Sequence, residues 1–242
     1  MTAPLLQFQN VSLSYPALDR PILHHIDYTV DPGDFVIILG ANGSGKSSLL
    51  KIIDGRYQPT QGHLKLNAKN INTFSAKVRA NTIHTLTQHA KDSLFLNLTL
   101  FENYQLMQKN VKTPFKPAEL SKYLSGFNQN LSTKLAILAG QLSGGEQQAL
   151  ALALAVLEPP AVLLLDEHTS ALDPKTGQYL MALTAQVIQE RNITAILTTH
   201  NVEHALRYGS RILALKEGGI YDKIEEEEKK TLTAVALLER CY

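Results

Sequence analysis

Apolar and polar residues alternate with period two at Val11-Ser12-Leu13-Ser14-Tyr15, which predicts an edge strand stopped by Pro16. Asp31-Pro32-Gly33-Asp34 is a turn, and residues 35–39 (FVIIL) then run without a polar interruption. A short apolar run between turn signals has the form of a strand covered on both faces, as in a parallel sheet. A glycine-rich loop over 40–45 leads into helical spacing over 47–53. Leu64-Lys65-Leu66 and residues 67–70 read as strand and turn, completing a small antiparallel piece with the N-terminal strands.

From residue 90 to 142 the spacing is helical, with turn signals near Thr113-Pro114 and Ser125-Gly126 and no convincing strand. Thr99-Leu100-Phe101-Glu102 has the capping-box form that starts a helix. The strand–helix rhythm then resumes: strands over 162–165, 193–198 and 211–215, and a helix from Pro174 capped by Asp173. Strand–helix alternation on both sides of a helical stretch predicts a parallel α/β core with an inserted α-helical subdomain. The run 225–228 is four glutamates and reads as a solvated face, and a short helix over 233–240 ends the pattern.

Composition narrows the class without deciding it. With 242 residues, 44% hydrophobic and 19% charged, the chain can bury a core and is not wholesale disordered. Lysine plus arginine (23) nearly balances aspartate plus glutamate (22), so no general affinity for nucleic acid is expected. A single cysteine, Cys241, excludes an intramolecular disulfide framework and fits a reducing compartment. Residues 1–10 lack the basic and apolar regions of a secretory signal. The longest apolar stretch, 149–157, falls well short of the ~20 residues a membrane crossing needs. A docking partner that does span the membrane remains compatible with this pattern.

Chemistry concentrates in three places. GANGSGKS (40–47) fits G-x-x-x-x-G-K-[ST] between a predicted strand and a predicted helix. There Gly40, Asn42, Gly43, Ser44, Gly45, Lys46, Ser47 and Ser48 can wrap a nucleotide's phosphates with backbone N–H groups at a helix N-terminus. Lys46 would reach the β and γ phosphates and the Ser47 hydroxyl a Mg²⁺ ion. VLLLDE (162–167) is an apolar strand ending in two carboxylates, at the strand end where parallel sheets place ligands. Asp166 can serve the Mg²⁺ shell and Glu167 can polarise a water. LSGGE (142–146) is a second cluster of bare amides at a helix start. Taken alone, Ser-Gly-Gly is also a common helix-entry turn. A second phosphate-binding cluster makes sense if two chains face each other and each lends its own to the other's nucleotide.

The phosphate loop, LSGGE, VLLLDE, Ser170-Ala171-Leu172-Asp173 and Thr199-His200, in that order, resemble the ATP-binding cassette (ABC) ATPases over nearly the whole chain. The resemblance implies one nucleotide-binding domain over 1–242. Its expected parts are a β-rich and phosphate-loop region 1–89, a helical subdomain 90–142, the rest of the core 143–222 and a tail 223–242. The implied fold is a RecA-like phosphate-loop NTPase core with an N-terminal antiparallel β subdomain. The implied function is an ATPase with ATP and Mg²⁺, closing head to tail as a homodimer on two ATPs and driving a separate membrane permease. Carried over by position, Tyr15 stacks on adenine, Gln88 contacts Mg²⁺ and water, Glu167 is the general base and His200 fixes the γ phosphate. Ser143, Gly144 and Gly145 bind the γ phosphate held by the other subunit, and Asp173 lies in a loop communicating between the two sites.

Two departures stand out: His168 follows Glu167 where many relatives have proline, and Gln147-Gln148 leads into alanine and leucine where many carry an arginine. The missing arginine implies a weakened polar contact near the phosphates. With DEHTSALDPKTG, TTHNVEHALRYGSRI and EEEEKKTLTAVALL, these departures resemble the ATPases of bacterial importers assigned to tryptophan and tyrosine transport. Such ATPases act at the cytoplasmic face of the inner membrane with a permease and, indirectly, an extracytoplasmic solute-binding protein. An exporter, a lipid or lipoprotein extractor, and a soluble assembly clamp are the competing readings. The cargo is not legible, because an ATPase subunit does not touch it.

Overall fold

The computed structural model describes residues 3–15, 20–108 and 114–241. Pro16 and Thr113, expected above to stop a strand and mark a turn, lie outside them. In chain order the elements begin with strands β1 (Leu6–Leu13), β2 (Leu23–Val30) and β3 (Phe35–Leu39), then helix α1 (Lys46–Ile53). There follow β4 (Gln61–Leu66), β5 (Lys69–Asn70), α2 (Ala76–Thr82), β6 (Ile83–Leu86), α3 (Leu100–Met107) and α4 (Pro117–Ser125). Next come α5 (Gly144–Ala155), β7 (Val162–Asp166), α6 (Pro174–Glu190), β8 (Ala195–Thr199) and α7 (Val202–Tyr208). β9 (Arg211–Lys216), β10 (Gly219–Ile224), α8 (Glu226–Lys229) and α9 (Ala234–Cys241) complete the order. The α/β class expected from the pattern is what the chain adopts.

The chain divides into two compact units, the first made of Met1–His84, Ala161–Asp166 and Asn192–Tyr242, the second of Thr85–Pro160 and Glu167–Arg191. In the first unit an antiparallel sheet runs β2-β1-β4-β5, and a six-stranded sheet runs β10-β9-β3-β8-β7-β6. β3 pairs in parallel with β8 and β9, and β7 with β8. Every residue of β3 is buried, because its neighbours cover both edges and further elements cover both faces. β1 is not the edge strand that its alternation suggested: it is longer and hydrogen-bonds on both sides, to β2 and β4. Leu6, Val11, Ile26, Leu64, Leu50, Ile53, Val162 and Leu215 belong to one continuous buried cluster joining these strands to α1.

The glutamates 225–228 are all exposed, as a solvated face requires, and make surface ion pairs. Glu225 pairs with Arg211 at 2.9 Å, Glu227 with Lys230 at 2.7 Å and Glu228 with Arg240 at 2.6 Å. Arg211 also meets Asp31 at 2.9 Å and Asp34 at 3.0 Å, so one guanidinium joins the turn before β3 to the start of the tail. Arg240 adds Asp222 at 2.7 Å, and Leu237 and Cys241 bury the apolar side of α9. Burial, reinforced by the Asp222 charge, pushes the Cys241 thiol up to about 11.

Among its described residues the second unit is helical apart from part of β6 and an isolated antiparallel bridge between Thr99 and Leu138. Thr99 caps α3, its hydroxyl accepting from the Glu102 N–H at 3.1 Å while Glu102 accepts from the Thr99 N–H at 2.7 Å. Tyr104 stacks on Phe115 (6.1 Å, 6°), and Phe115, Tyr123 and Phe127 continue the aromatic cluster. Arg191 lies over Tyr123 at 5.6 Å, donating also to the Val156 carbonyl. Asp173 caps α6 by accepting from the Thr176 N–H at 3.1 Å, with Pro174 in the first turn.

Candidate active site

In the first unit β3 ends at Leu39 and the chain wraps through residues 40–45 into α1. Gly45 has φ 102°, and a Cβ there would come within 2.7 Å of Leu23 Cδ2, so only glycine fits the entry to the helix. Lys46 is 6% exposed, and its Nζ donates to the Gly40 carbonyl at 2.8 Å and the Ala41 carbonyl at 3.1 Å. The ammonium is thereby curled back over the loop, where the α1 N-terminus adds the equivalent of about half a positive charge. A cavity of about 230 Å³ runs along Ala41, Asn42, Gly43 and Ser44.

β7 and β8 bring two further groups to that strand end. Asp166 is opposite Thr198 in the parallel register. Asp166 Oδ1 accepts from Ser47 Oγ at 3.0 Å and from Thr198 Oγ1 at 2.6 Å. These are hard oxygen donors gathered at the head of α1, the chemistry that suits a Mg²⁺ ion carrying a nucleotide's phosphates. Thr198 is the member that sequence reasoning missed. The signal lay in its place at the carboxyl end of the strand that pairs with β7.

Tyr15 is partly exposed and meets Tyr57 edge-on, with ring centroids 6.1 Å apart and planes at 82°. Lys51 lies over the other aromatic at 5.2 Å. His200 follows β8 on an exposed loop, and the Asn201 side chain caps α7 by accepting from the His204 N–H at 3.0 Å.

The second unit carries the remaining candidates. Glu167 has φ 47°, a left-handed conformation uncommon for a non-glycine residue. Its carbonyl accepts from the Ser170 N–H at 2.9 Å and from Ser170 Oγ at 2.8 Å, which holds the turn. Gln88 has an exposed side chain in the loop after β6. Ser143 caps α5: its Oγ accepts from the Glu146 N–H at 3.3 Å, and Glu146 accepts from the Ser143 N–H at 3.0 Å. Lys134 pairs with the other Glu146 oxygen at 2.7 Å. Gly144 and Gly145 open the helix, and a Cβ on Gly145 would come within 2.4 Å of Thr176 Cγ2.

The two departures take definite structural form. His168 is 1% exposed and its Nε2 lies 3.0 Å from Thr184 Oγ1. The Thr184 hydroxyl donates its only hydrogen to the Leu180 carbonyl at 2.8 Å, so His168 Nε2 is the donor to it. His168 is thus a core residue that fastens the turn after Glu167 to α6. Ahead of the alanine and leucine run that lacks an arginine, Gln147 Nε2 donates to the Ala139 and Leu142 carbonyls at 3.1 and 3.2 Å. Gln148 Nε2 donates to the Thr87 and Gln88 carbonyls at 3.1 and 2.8 Å.

A strand–glycine loop–helix unit with an acidic strand end two strands away defines a phosphate-loop NTPase. The model of the ABC transporter family matches residues 23–170. A tyrosine transport ATP-binding protein of Clostridioides difficile is 35% identical over 98% of both chains. A spermidine/putrescine import ATP-binding protein of Legionella pneumophila is 36% identical over 91% of this chain, which spans 59% of that relative. Among solved structures, the ATP-binding cassette MJ0796, dimeric in a post-hydrolysis state with ADP and Pi, is 28% identical with a TM-score of 0.77, over 91% of this chain and 98% of its own. The chain belongs to the ABC transporter family, as a cassette ATPase that hydrolyses ATP. Among the described residues no helix is long and apolar enough to cross a membrane.

Proposed function

We propose that this chain is the ATPase subunit of a bacterial importer for a small solute of amino-acid type. The observation that carries its hydrolytic role is the Ser47–Asp166–Thr198 hydrogen-bonded group beside the Lys46 loop. The end-to-end similarity to a tyrosine transport ATP-binding protein supports a transport role over a soluble clamp, and the similarity to a spermidine/putrescine import ATP-binding protein supports import over export or extraction.

In this reading the backbone N–H groups of Gly43, Ser44, Gly45, Lys46, Ser47 and Ser48 bind the phosphates, with Gly40 and Asn42 shaping the loop. Tyr15 stacks on adenine. Lys46 leaves the Gly40 and Ala41 carbonyls to meet the β and γ phosphates, which compensate it more strongly. Ser47, Asp166 and Gln88 hold Mg²⁺, which neutralises charge developing on the phosphate oxygens. Glu167 accepts the proton of the attacking water, and His200 orients the γ phosphate. Ser143, Gly144 and Gly145 close on the ATP of a second copy in a head-to-tail dimer. ATP favours the closed pair, and hydrolysis removes that differential affinity. Residues 90–142 pass the motion to a membrane permease, itself served by an extracytoplasmic binding protein, with the cassette peripheral at the cytoplasmic face.

Affinity capture of the chain from gently solubilised native membranes, with partners identified by mass spectrometry, tests the reading. A multi-span permease is the expected partner, and its binding protein can then be screened with aromatic amino acids. Recovery of soluble proteins alone overturns the importer in favour of an assembly clamp.

A further inference from the structure

Gln148 is 3% exposed on the second turn of α5, and its amide nitrogen bridges two adjacent carbonyls, Thr87 at 3.1 Å and Gln88 at 2.8 Å. Only a donor can face two carbonyls, so this geometry fixes which end of the amide points at the loop. The same side chain's Oε1 is buried and has no hydrogen-bond partner among the described residues. A buried acceptor without a partner is unfavourable, and an apolar side chain of equal size would avoid it. What the amide provides in exchange is a bond between two segments 60 residues apart in sequence. The loop it grips is itself braced, since Thr87 Oγ1 donates to Asp92 Oδ2 at 2.8 Å and to the His89 carbonyl at 3.0 Å.

We propose that Gln148 is a positioning residue that makes the Gln88 loop and the Ser143–Gly145 helix start move as one piece. This rests on the reading above, in which Gln88 serves the chain's own nucleotide and Ser143–Gly145 serves the partner's. α5 is a continuous hydrogen-bonded helix from Gly144, so a shift at its first turn is carried to Gln148 one turn on. Closure on the partner's ATP thereby sets the Gln88 loop at the chain's own ATP, which couples the two sites.

Gln148→Met keeps the side chain's length and removes both donors. The expected result in the full-length protein is a turnover lowered by about 10-fold, with the affinity for fluorescent ATP of the monomer little changed. Cooperativity in ATP falls from a Hill coefficient of about 2 toward 1. Hydrogen exchange over residues 87–90 quickens. Gln148→Glu provides a second variant: as an acceptor facing two carbonyls it should lower turnover and cooperativity at least as far as Gln148→Met. Packing alone predicts lower thermal stability with cooperativity kept, and that result overturns the proposal. Gln88→Ala separates the two readings. If it abolishes turnover while Gln148→Met stays cooperative, the tie alone is overturned. If Gln88→Ala turns over normally, the role of the loop on which the tie depends is overturned.

Discussion

Ser47 Oγ lies 3.0 Å from Asp166 Oδ1, and that same carboxylate oxygen receives the Thr198 hydroxyl at 2.6 Å. Three elements distant in sequence, the start of α1 and the ends of β7 and β8, are thus pinned at one oxygen atom. Thr198 gives Asp166 a fixed direction and Ser47 fills part of its remaining hydrogen-bonding capacity. A carboxylate oxygen held by two hydroxyls is fixed in direction, which lowers the cost of ordering it around a ligand.

Thr198→Val tests that organisation, because valine keeps the shape in the strand and removes the hydroxyl. The loss of one buried hydrogen bond is expected to lower stability by about 1 kcal/mol. The half-saturating Mg²⁺ concentration in an ATPase titration should rise about 10-fold, as for other residues that orient a metal-binding carboxylate. An unchanged Mg²⁺ dependence would show that Ser47 and the strand end alone set Asp166.

Glu167 is held at φ 47°, where a side chain costs roughly 1–2 kcal/mol. Strain kept at one carboxylate after an apolar strand is a candidate for function rather than folding. Glu167→Gln should lower turnover by at least about 10²-fold, the contribution of a positioned base, while ATP still holds a dimer measurable by light scattering. Glu167→Gly should also stop hydrolysis but unfold at a higher urea concentration, gaining up to about 1 kcal/mol. A glycine variant no more stable than wild type would mean that the turn carries no strain.

How much of this was readable from the residues differs by element. β3, β7 and the phosphate loop announce themselves, because a continuous apolar run between turn residues suits a buried strand and is too short for a helix. β2 was not legible: LHHIDYTV carries two adjacent histidines and an aspartate, and its burial alternates around a break at His25, which has φ 48°. The placing of β1 in mid-sheet depends on pairing with β4, some fifty residues on, which local alternation does not encode. Within the candidate site, Lys46, Ser47 and Asp166 stand out through spacing alone. Thr198, Gln148 and Lys134 act through tertiary neighbours, so no window of sequence contains both partners. His168 drew notice as a departure, yet its partner Thr184 lies nearly three turns into α6.

Tyr57 gives Tyr15 an edge-on partner on the side of α1, and Lys51 braces Tyr57 from 5.2 Å. Aromatic pairs of this kind contribute ~0.5–1.5 kcal/mol beyond area burial. Tyr57→Ala should therefore raise KM for ATP about three- to tenfold, the equivalent of that energy, and leave kcat near wild type. Tyr15→Ala should raise KM at least as far, and the double variant should show less than the sum. Additive effects in that cycle would separate Tyr57 from Tyr15.

Glu146 closes a capping box on Ser143 and pairs with Lys134 at 2.7 Å. Burial pushes its carboxyl up, but the Lys134 ammonium and the Ser143 N–H together outweigh that and hold it below the usual 4.5. A carboxyl depressed in the folded state stabilises fully above 4.5, and that stabilisation is lost as pH falls through the lower, folded value. Glu146→Ala removes both the box and the pair and should cost ~1–2 kcal/mol at pH 7. Glu146→Gln keeps an oxygen for the Ser143 N–H and should cost less than ~1 kcal/mol. Urea unfolding at descending pH distinguishes the contributions: the gap between wild type and Glu146→Gln should close below pH 4.5 as Glu146 protonates. The gap between Gln and Ala variants should persist, since neither titrates, and a constant wild-type advantage in acid would exclude the ion pair as its source.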